Sequence, residues 1–408
     1  MSRFVLGINY WPRSSAMYMW SNFDIDEIRR DFQYIASLGL QVVRFFLSWE
    51  EFQPKPDRVD EQRLLNLTLL MDALLDEGLR AMPTFFTGHM SGVNWLPSWT
   101  LDATTPHGRF RTISGGKESP YGIGDFYTGA LLNAQRFAVR TVAQCVRAHP
   151  ALEAWDLGNE FSNLREPRSP ADAAQWSVAL TAELKEISHA DVTGGIHGED
   201  ITRDRNIRPS SICAPWAYAT MHGYPVYSAF ARGANDANVV PFLSAITASC
   251  ANKPVLFSEC GNPTCPPGTV SPAARVPLPG EAPLGKAQLP RNAAAFACLN
   301  EEEMSGYAYA VMDKLHEQGA LGGLWWCYAD YDPALREKPP FDRAPHELTF
   351  GIVRADGSPK PAARALARFA SELRQVVPHQ PAIVRETQYY DGLPQTVSAT
   401  YAQFLEAQ

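Results

Sequence analysis

Apolar and polar positions along the chain follow two alternating periods. Runs of consecutive apolar residues rich in β-formers give way to stretches whose apolar residues recur every three or four positions, about eight times in all. That alternation predicts an α/β fold of parallel strands joined by helices, a (β/α)8 TIM barrel. The first unit reads as a strand from Phe4 to Trp11 and a helix from Asp24 to Leu38. Ile25, Ile28, Phe32, Ile35 and Leu38 make one face of that helix, and Gly39 ends it. Later strands are predicted from Val42 to Trp49, Arg80 to Thr87, Glu153 to Glu160, Asp191 to Ile196, Ile212 to Met221, Pro254 to Ser258 and Gly323 to Tyr328. Predicted helices run from Glu61 to Glu77, Thr128 to Ala148, Pro170 to Ser188, Ala234 to Cys250, Arg291 to Gln318 and Ala362 to Gln375. Long insertions from Pro97 to Asp125, Asn262 to Pro290 and Asp330 to Pro345 follow the third, seventh and eighth strands, so all three are expected to rise over one mouth. One domain over 1–408 is expected, with 376–408 a tail packed on the barrel.

Two strands stop abruptly at a carboxylate. Trp155-Asp156-Leu157-Gly158-Asn159-Glu160 ends in an amide and an acid, and Val255-Leu256-Phe257-Ser258-Glu259 delivers a second glutamate. Barrel strand ends carry the chemistry, and two carboxylates on two strand tips are the minimum for hydrolysing a glycosidic bond with retention. Arg44 interrupts the apolar Val42-Val43-Arg44-Phe45-Phe46 and needs a partner there; beside Glu259 it would favour the ionised carboxylate. Alternation along strand eight puts Trp326, Tyr328 and Asp330 on one face and Trp325 and Cys327 on the other.

A net charge of -8 and the lack of a basic run argue against nucleic acid or an anionic membrane as partner and favour a small neutral ligand. The 10 Trp suit sugar stacking as well as a bulky core. The 7 Cys are odd in number and lack CxxC pairing, so neither a disulfide framework nor a zinc site is expected, and Cys260 and Cys265, flanking Glu259, are expected to be reduced thiols. The opening residues enter a strand at once, leaving no room for a signal peptide, so a cytoplasmic location is expected. No phosphate loop, dinucleotide fingerprint or metal-ligand cluster appears, and no cofactor or metal is expected.

Taken in order, Arg44 on strand two, Asn159-Glu160 closing strand four, His222-Gly223-Tyr224 after strand six, Glu259 closing strand seven and Trp325-Trp326 on strand eight resemble the retaining glycoside hydrolases built on (β/α)8 barrels, with family 5 the nearest match. The resemblance implies that Glu160 is the acid/base and Glu259 the nucleophile. It further implies that Tyr224 hydrogen-bonds the nucleophile with His222 as its companion, that Asn159 binds the sugar 2-hydroxyl, and that His89 contacts a hydroxyl of the same sugar. Trp326 is expected to be the stacking platform, with Trp325 in the barrel wall. The pieces Gly7-Ile8-Asn9-Tyr10-Trp11-Pro12, Gly88-His89-Met90-Ser91 and Leu96-Pro97-Ser98-Trp99-Thr100 look most like the branch of intracellular exo-acting β-mannosidases that trim Man-β-1,4-GlcNAc. The alternatives are an endo-β-mannanase or endoglucanase with an open cleft and, from another class, a barrel that only binds carbohydrate.

Overall fold

Eight parallel strands form the sheet that organises the chain, in the order 5-4-3-2-1-8-7-6. They are β1 (Val5–Tyr10), β2 (Val42–Ser48), β3 (Arg80–Thr87), β4 (Ala154–Asn159), β5 (Asp191–Gly195), β6 (Ala219–His222), β7 (Val255–Cys260) and β8 (Gly322–Trp325). The structure is a computed structural model and describes residues 2–265, 298–377 and 383–408. The seam between β5 and β6 lacks a continuous ladder, but Ala217 N donates to Val192 O at 2.9 Å and His222 N to Ile196 O at 3.0 Å, which brings the cylinder nearly to closure. The main outer helices are α1 (Ile25–Ser37), α2 (Glu61–Asp76), α3 (Gly129–Val146), α4 (Pro170–Ile187), α5 (Val239–Ala251), α6 (Glu301–Glu317) and α7 (Pro361–Ser371). They bury their apolar stripes against the outside of the strands.

The interior is built in two layers. Val42, Met82, Leu256 and Leu324 meet inside the lower half as an apolar plug. Gly7 makes room for it, since a Cβ there would lie 2.3 Å from Leu324 Cδ2 and 2.4 Å from Val42 O. Two residues further along the same strands the period of 2 brings Asn9, Arg44, Thr84 and Ser258 to the next level, and all four are fully buried. The barrel is thus dry at the bottom and polar towards the strand ends.

Several boundaries differ from expectation. The strand predicted from Ile212 to Met221 is a helical turn at Pro209–Ile212 followed by the short β6; Pro215 has no N–H to give to a ladder. β8 stops at Trp325, after which Trp326 N and Tyr328 N donate instead to Cys260 O and Asn9 O. α5 begins only at Val239, because Asp236 ties the preceding turn by accepting from the backbone N–H groups of Arg232 and Asn238. α6 starts at Glu301, where Asn300 and Glu303 form a reciprocal capping box. The insertion expected from Pro97 to Asp125 as loop carries short strands. Arg111–Ser114 and Lys117–Ser119 pair across Gly115 and Gly116, whose φ of 57° and 73° suit a tight two-residue hairpin turn. Most of the insertion expected from Asn262 to Pro290 lies outside the described residues. The last segment, expected as an unpatterned tail, contains α8 (Glu386–Asp391) and α9 (Gln395–Glu406); Tyr401 and Phe404 of α9 pack on Phe242 of α5.

One expectation is overturned. Cys265 and Cys298 form a disulfide, 33 positions apart in sequence and 5.0 Å apart between Cα atoms. Their backbones meet because Cys265 N donates to Leu299 O at 2.8 Å and Leu299 N to Pro263 O at 3.0 Å, joining the two feet of the insertion. Spacing alone carries no signal for such a bridge. Cys260 fits the thiol expectation, being free and buried. Closing a loop of 33 residues restricts the unfolded chain by about 3 to 4 kcal/mol in the chain-entropy model. We therefore expect reductant to lower the unfolding midpoint in scanning calorimetry, and to leave unchanged a variant already carrying Cys265→Ser and Cys298→Ser.

Candidate active site

Arg44 is the centre of the polar layer. Its guanidinium is fully buried and spreads donors in four directions: Nε to Asp156 Oδ2 at 2.7 Å, Nη1 to Asn9 Oδ1 at 3.0 Å and to Glu259 Oε1, and Nη2 to Asn159 Oδ1 at 3.0 Å. Burial pulls this group down, but the carboxylates of Asp156 and Glu259 outweigh it and hold Arg44 above its ordinary value. Asp156 also accepts from Thr84 Oγ1 at 2.9 Å, and Asn9 donates to Ser258 O at 2.9 Å. Asp156 and Asn9 were not singled out in the sequence, although each, like Arg44, is a polar side chain inside an apolar strand.

Glu259, at the end of β7, is held on both oxygens. Arg44 takes Oε1, and Tyr224 OH donates to Oε2 at 2.7 Å. The Tyr224 hydroxyl is driven well above its ordinary value, first by burial and then by the charge of Glu259, so it stays a donor. Glu160, just past β4, has a different environment. Its side chain is 17% exposed, and its neighbours are imidazoles: His222 Nδ1 at 3.3 Å, His89 Nε2 at 3.8 Å and His197 Nδ1 at 4.0 Å. Asn163 Nδ2 donates to its Oε2 at 3.0 Å. Among the described residues no Lys or Arg is paired with Glu160. The backbone there is left-handed, φ 47° and ψ 43°, a conformation a non-glycine residue adopts at a cost of about 1 to 2 kcal/mol. It turns the side chain off the strand and into the mouth.

An oxygen of Glu160, Nδ1 of His222 and an oxygen of Glu259 all lie within 4.8 Å of one another. Three such atoms could bracket a cation, but Arg44 already supplies the positive charge at Glu259. The two carboxylates are thus close enough for double displacement, in which the carboxyl groups stand about 5 to 5.5 Å apart. His222 Nδ1 faces both carboxylates, at 3.3 Å and 3.5 Å, and its Nε2 is buried without a partner among the described residues. A neutral ring therefore carries its proton on Nδ1, between the two acids. His89 is set likewise: Nδ1 lies 2.7 Å from Asn94 Oδ1, and Asn94 Nδ2 is engaged with Asn163 O at 3.2 Å, which makes Nδ1 the donor and leaves the Nε2 lone pair facing the site. Asn159 gives one amide hydrogen to His89 O at 3.0 Å. Arg44, His89, Asn159, Glu160, His222, Tyr224 and Glu259 thus converge, and His197, Asn163, Asp156 and Asn9 join them. Trp326 is 4% exposed and packs edge-on to Phe46, whose ring lies under Arg44. Trp325 is fully buried and meets Tyr307 of α6 on the outside of the barrel.

The loops over the strand ends are tied across the mouth. Arg111 forms a two-pronged ion pair with Asp342, and Arg343 contacts Glu118 at 2.9 Å, joining the loops after β3 and β8. Arg109 pairs with Glu199 beyond β5, and Tyr18 OH beyond β1 donates to Pro339 O at 2.7 Å.

In fold, the protein is similar to glycoside hydrolases of family 5. An exo-β-1,4-mannosidase from Opitutaceae bacterium strain TAV5 matches with a TM-score of 0.70 and 26% identity, over 91% of this chain. The match takes in 60% of that protein, so this chain spans less than two thirds of its length. A GH5_18 protein from Streptomyces cattleya in complex with GlcNAc gives a TM-score of 0.74 at 20% identity, over 99% of this chain and 91% of that one. A GH5_18 from Bifidobacterium longum subsp. infantis gives 0.72 at 19% identity, over 93% and 80%. No protein-family model and no curated protein sequence matches the chain.

Burial, partly offset by neighbouring carboxylates, pushes both His89 and His222 down to about 4. In the unfolded chain an imidazole takes up its proton near pH 6.5, so between about 6.5 and 4 the unfolded state binds more protons than the native one. The stability these two rings contribute is complete above that window and is lost as pH falls through it. Asp31 and Asp330, raised by burial to about 7 and about 6, act in the opposite sense, so variant and wild type must be compared. We expect imidazole NMR signals of His89 and His222 to stay in the neutral form down to about pH 4, and His222→Asn to flatten the acid side of the stability curve.

Proposed function

We propose that the protein is a retaining β-glycosidase acting from the non-reducing end, most specifically an exo-β-mannosidase releasing mannose from short β-1,4-linked oligosaccharides of the Man-β-1,4-GlcNAc type. The observation that carries the glycosidase reading is the pair of glutamates with oxygens within 4.8 Å, one clamped by an arginine and a tyrosine, the other among imidazoles. Arg44 and Tyr224 stabilise negative charge on Glu259, which attacks the anomeric carbon. Glu160 gives its proton to the departing oxygen and then takes one from the water that breaks the glycosyl-enzyme bond. The remaining amide hydrogen of Asn159 meets the 2-hydroxyl, His89 Nε2 accepts from another hydroxyl, and the sugar lies on Trp326.

Exo action is supported by the ties across the mouth, which join the loops after β3 and β8 above the strand ends. The choice of mannose is supported by the similar structures, among them an exo-β-1,4-mannosidase and a variant of the Streptomyces cattleya protein in complex with Manb1-4GlcNAc. A cytoplasmic location belongs to the same proposal. The Cys265–Cys298 bridge stands against it, because disulfides persist in oxidising compartments. Among the described residues no helix is long and apolar enough to cross a membrane.

Glu259→Gln should abolish nearly all turnover with the fold unchanged by circular dichroism. Glu160→Ala should keep substrates with good leaving groups entering the intermediate, with azide rescuing its breakdown as a glycosyl azide; substantial residual turnover in the first, or no azide product in the second, removes the corresponding role. On a mannose-terminated β-1,4 oligosaccharide the first product should be free mannose of retained configuration. Disaccharides and longer fragments appearing first by chromatography would favour the endo-acting alternative.

A further inference from the structure

A third carboxylate sits in the mouth, outside the chemistry described so far. Glu347 lies in the turn Pro345–Thr349 of the loop after β8 and is 7% exposed. Ser91 Oγ, from the loop after β3, donates to its Oε2 at 3.0 Å, and Tyr227 OH, from the loop after β6, donates to its Oε1 at 2.7 Å. Both donors sit a few residues beyond catalytic-site groups. Ser91 is two positions past His89, in a left-handed backbone at φ 51°, and the Tyr227 ring lies 5.5 Å from that of Tyr224, whose hydroxyl binds Glu259. Three loops from three separated strands thus converge on one buried acid.

We infer that Glu347 is the end wall of the sugar pocket: held by Ser91 and Tyr227, its carboxylate stops the site after one sugar and accepts a hydrogen bond from that sugar's terminal hydroxyls. The inference deepens the exo reading and rests on it. A tie that only joined loops would be served as well by apolar side chains, since burying a carboxylate carries a desolvation cost. Among the described residues its nearest nitrogen partner is His346 Nε2 at 3.5 Å, and no Lys or Arg is paired with it. Burial raises this acid, yet His346, Tyr227 and Ser91 outweigh that and hold it below its ordinary value, so it is ionised at neutral pH. An ionised carboxylate offers about four lone-pair positions, and the two hydroxyl donors leave acceptor capacity for sugar hydroxyls. The charge also fits a neutral glycone and disfavours uronic or phosphorylated sugars.

The test compares two chromogenic substrates, the aryl β-glycoside that the wild type cleaves best and its β-1,4-linked disaccharide homologue, with products separated by chromatography. Wild type should release aryl alcohol from the disaccharide only after removing the terminal sugar. Glu347→Ala should release the intact disaccharide, and its KM for the simple glycoside should rise about tenfold with kcat little changed, as expected for one lost charged hydrogen bond. Ser91→Ala cuts only one tie and should move both readouts in the same direction by less, and it decides the matter if Glu347→Ala does not fold. If the folded variants keep the wild-type KM and release no disaccharide, the wall is overturned while exo action stands. If the wild type itself releases intact disaccharide, exo action fails and the wall with it.

Discussion

The buried guanidinium of Arg44 is the constraint on which the site depends. It reaches β4 through Asp156, β1 through Asn9, the end of β4 through Asn159 and the end of β7 through Glu259, so one side chain sets the distance between strands far apart in sequence. A cation at that depth is tolerated only while its carboxylates are present, and removing one partner from such a set costs about 3 to 5 kcal/mol. Apolar residues of similar volume would hold the barrel together as well. What they would not do is hold an oxygen of Glu259 and the amide of Asn159 in place at the mouth of the barrel.

The two glutamates are made unlike by what surrounds them. Glu259 receives a permanent charge and a hydroxyl; Glu160 receives an amide and three imidazoles, two of which burial keeps neutral. The proton on His222 Nδ1 lies between the acids, 3.3 Å from Glu160 and 3.5 Å from Glu259. Around them the loops after β3, β6 and β8 meet above the strand ends, so the surroundings that differentiate the acids also narrow access to them.

Much of this was legible in the chain. The eight-fold alternation predicted the barrel because a buried parallel strand and an amphipathic helix leave different periods. The glutamates at the ends of β4 and β7 were visible because an apolar run ending in a carboxylate places it at the strand tip. Arg44 was found as a charge inside an apolar strand. Asp156 and Asn9 carry the same signal, weakened because a short polar side chain in a strand is also common at edges. His197, Asn163 and Glu347 sit in connections, where polar residues are the rule and no period marks one of them. Parity put Trp325 and Trp326 on opposite faces of β8, and the fold places one against α6 and the other beside Phe46.

The sequence by itself determined the architecture, the order of the strands and the faces on which the two acids stand, because each of these follows from local periodicity and from where an apolar run stops. Apart from Arg44 and Tyr224 at Glu259, tertiary structure decided which residues became partners. The bridge between Cys265 and Cys298, the grip of Arg44 on its three other neighbours and the meeting of Ser91, Tyr227 and Glu347 join residues dozens to hundreds of positions apart. Such pairings depend on barrel closure and loop path, which are cooperative properties of the packed chain and leave no mark on the local pattern.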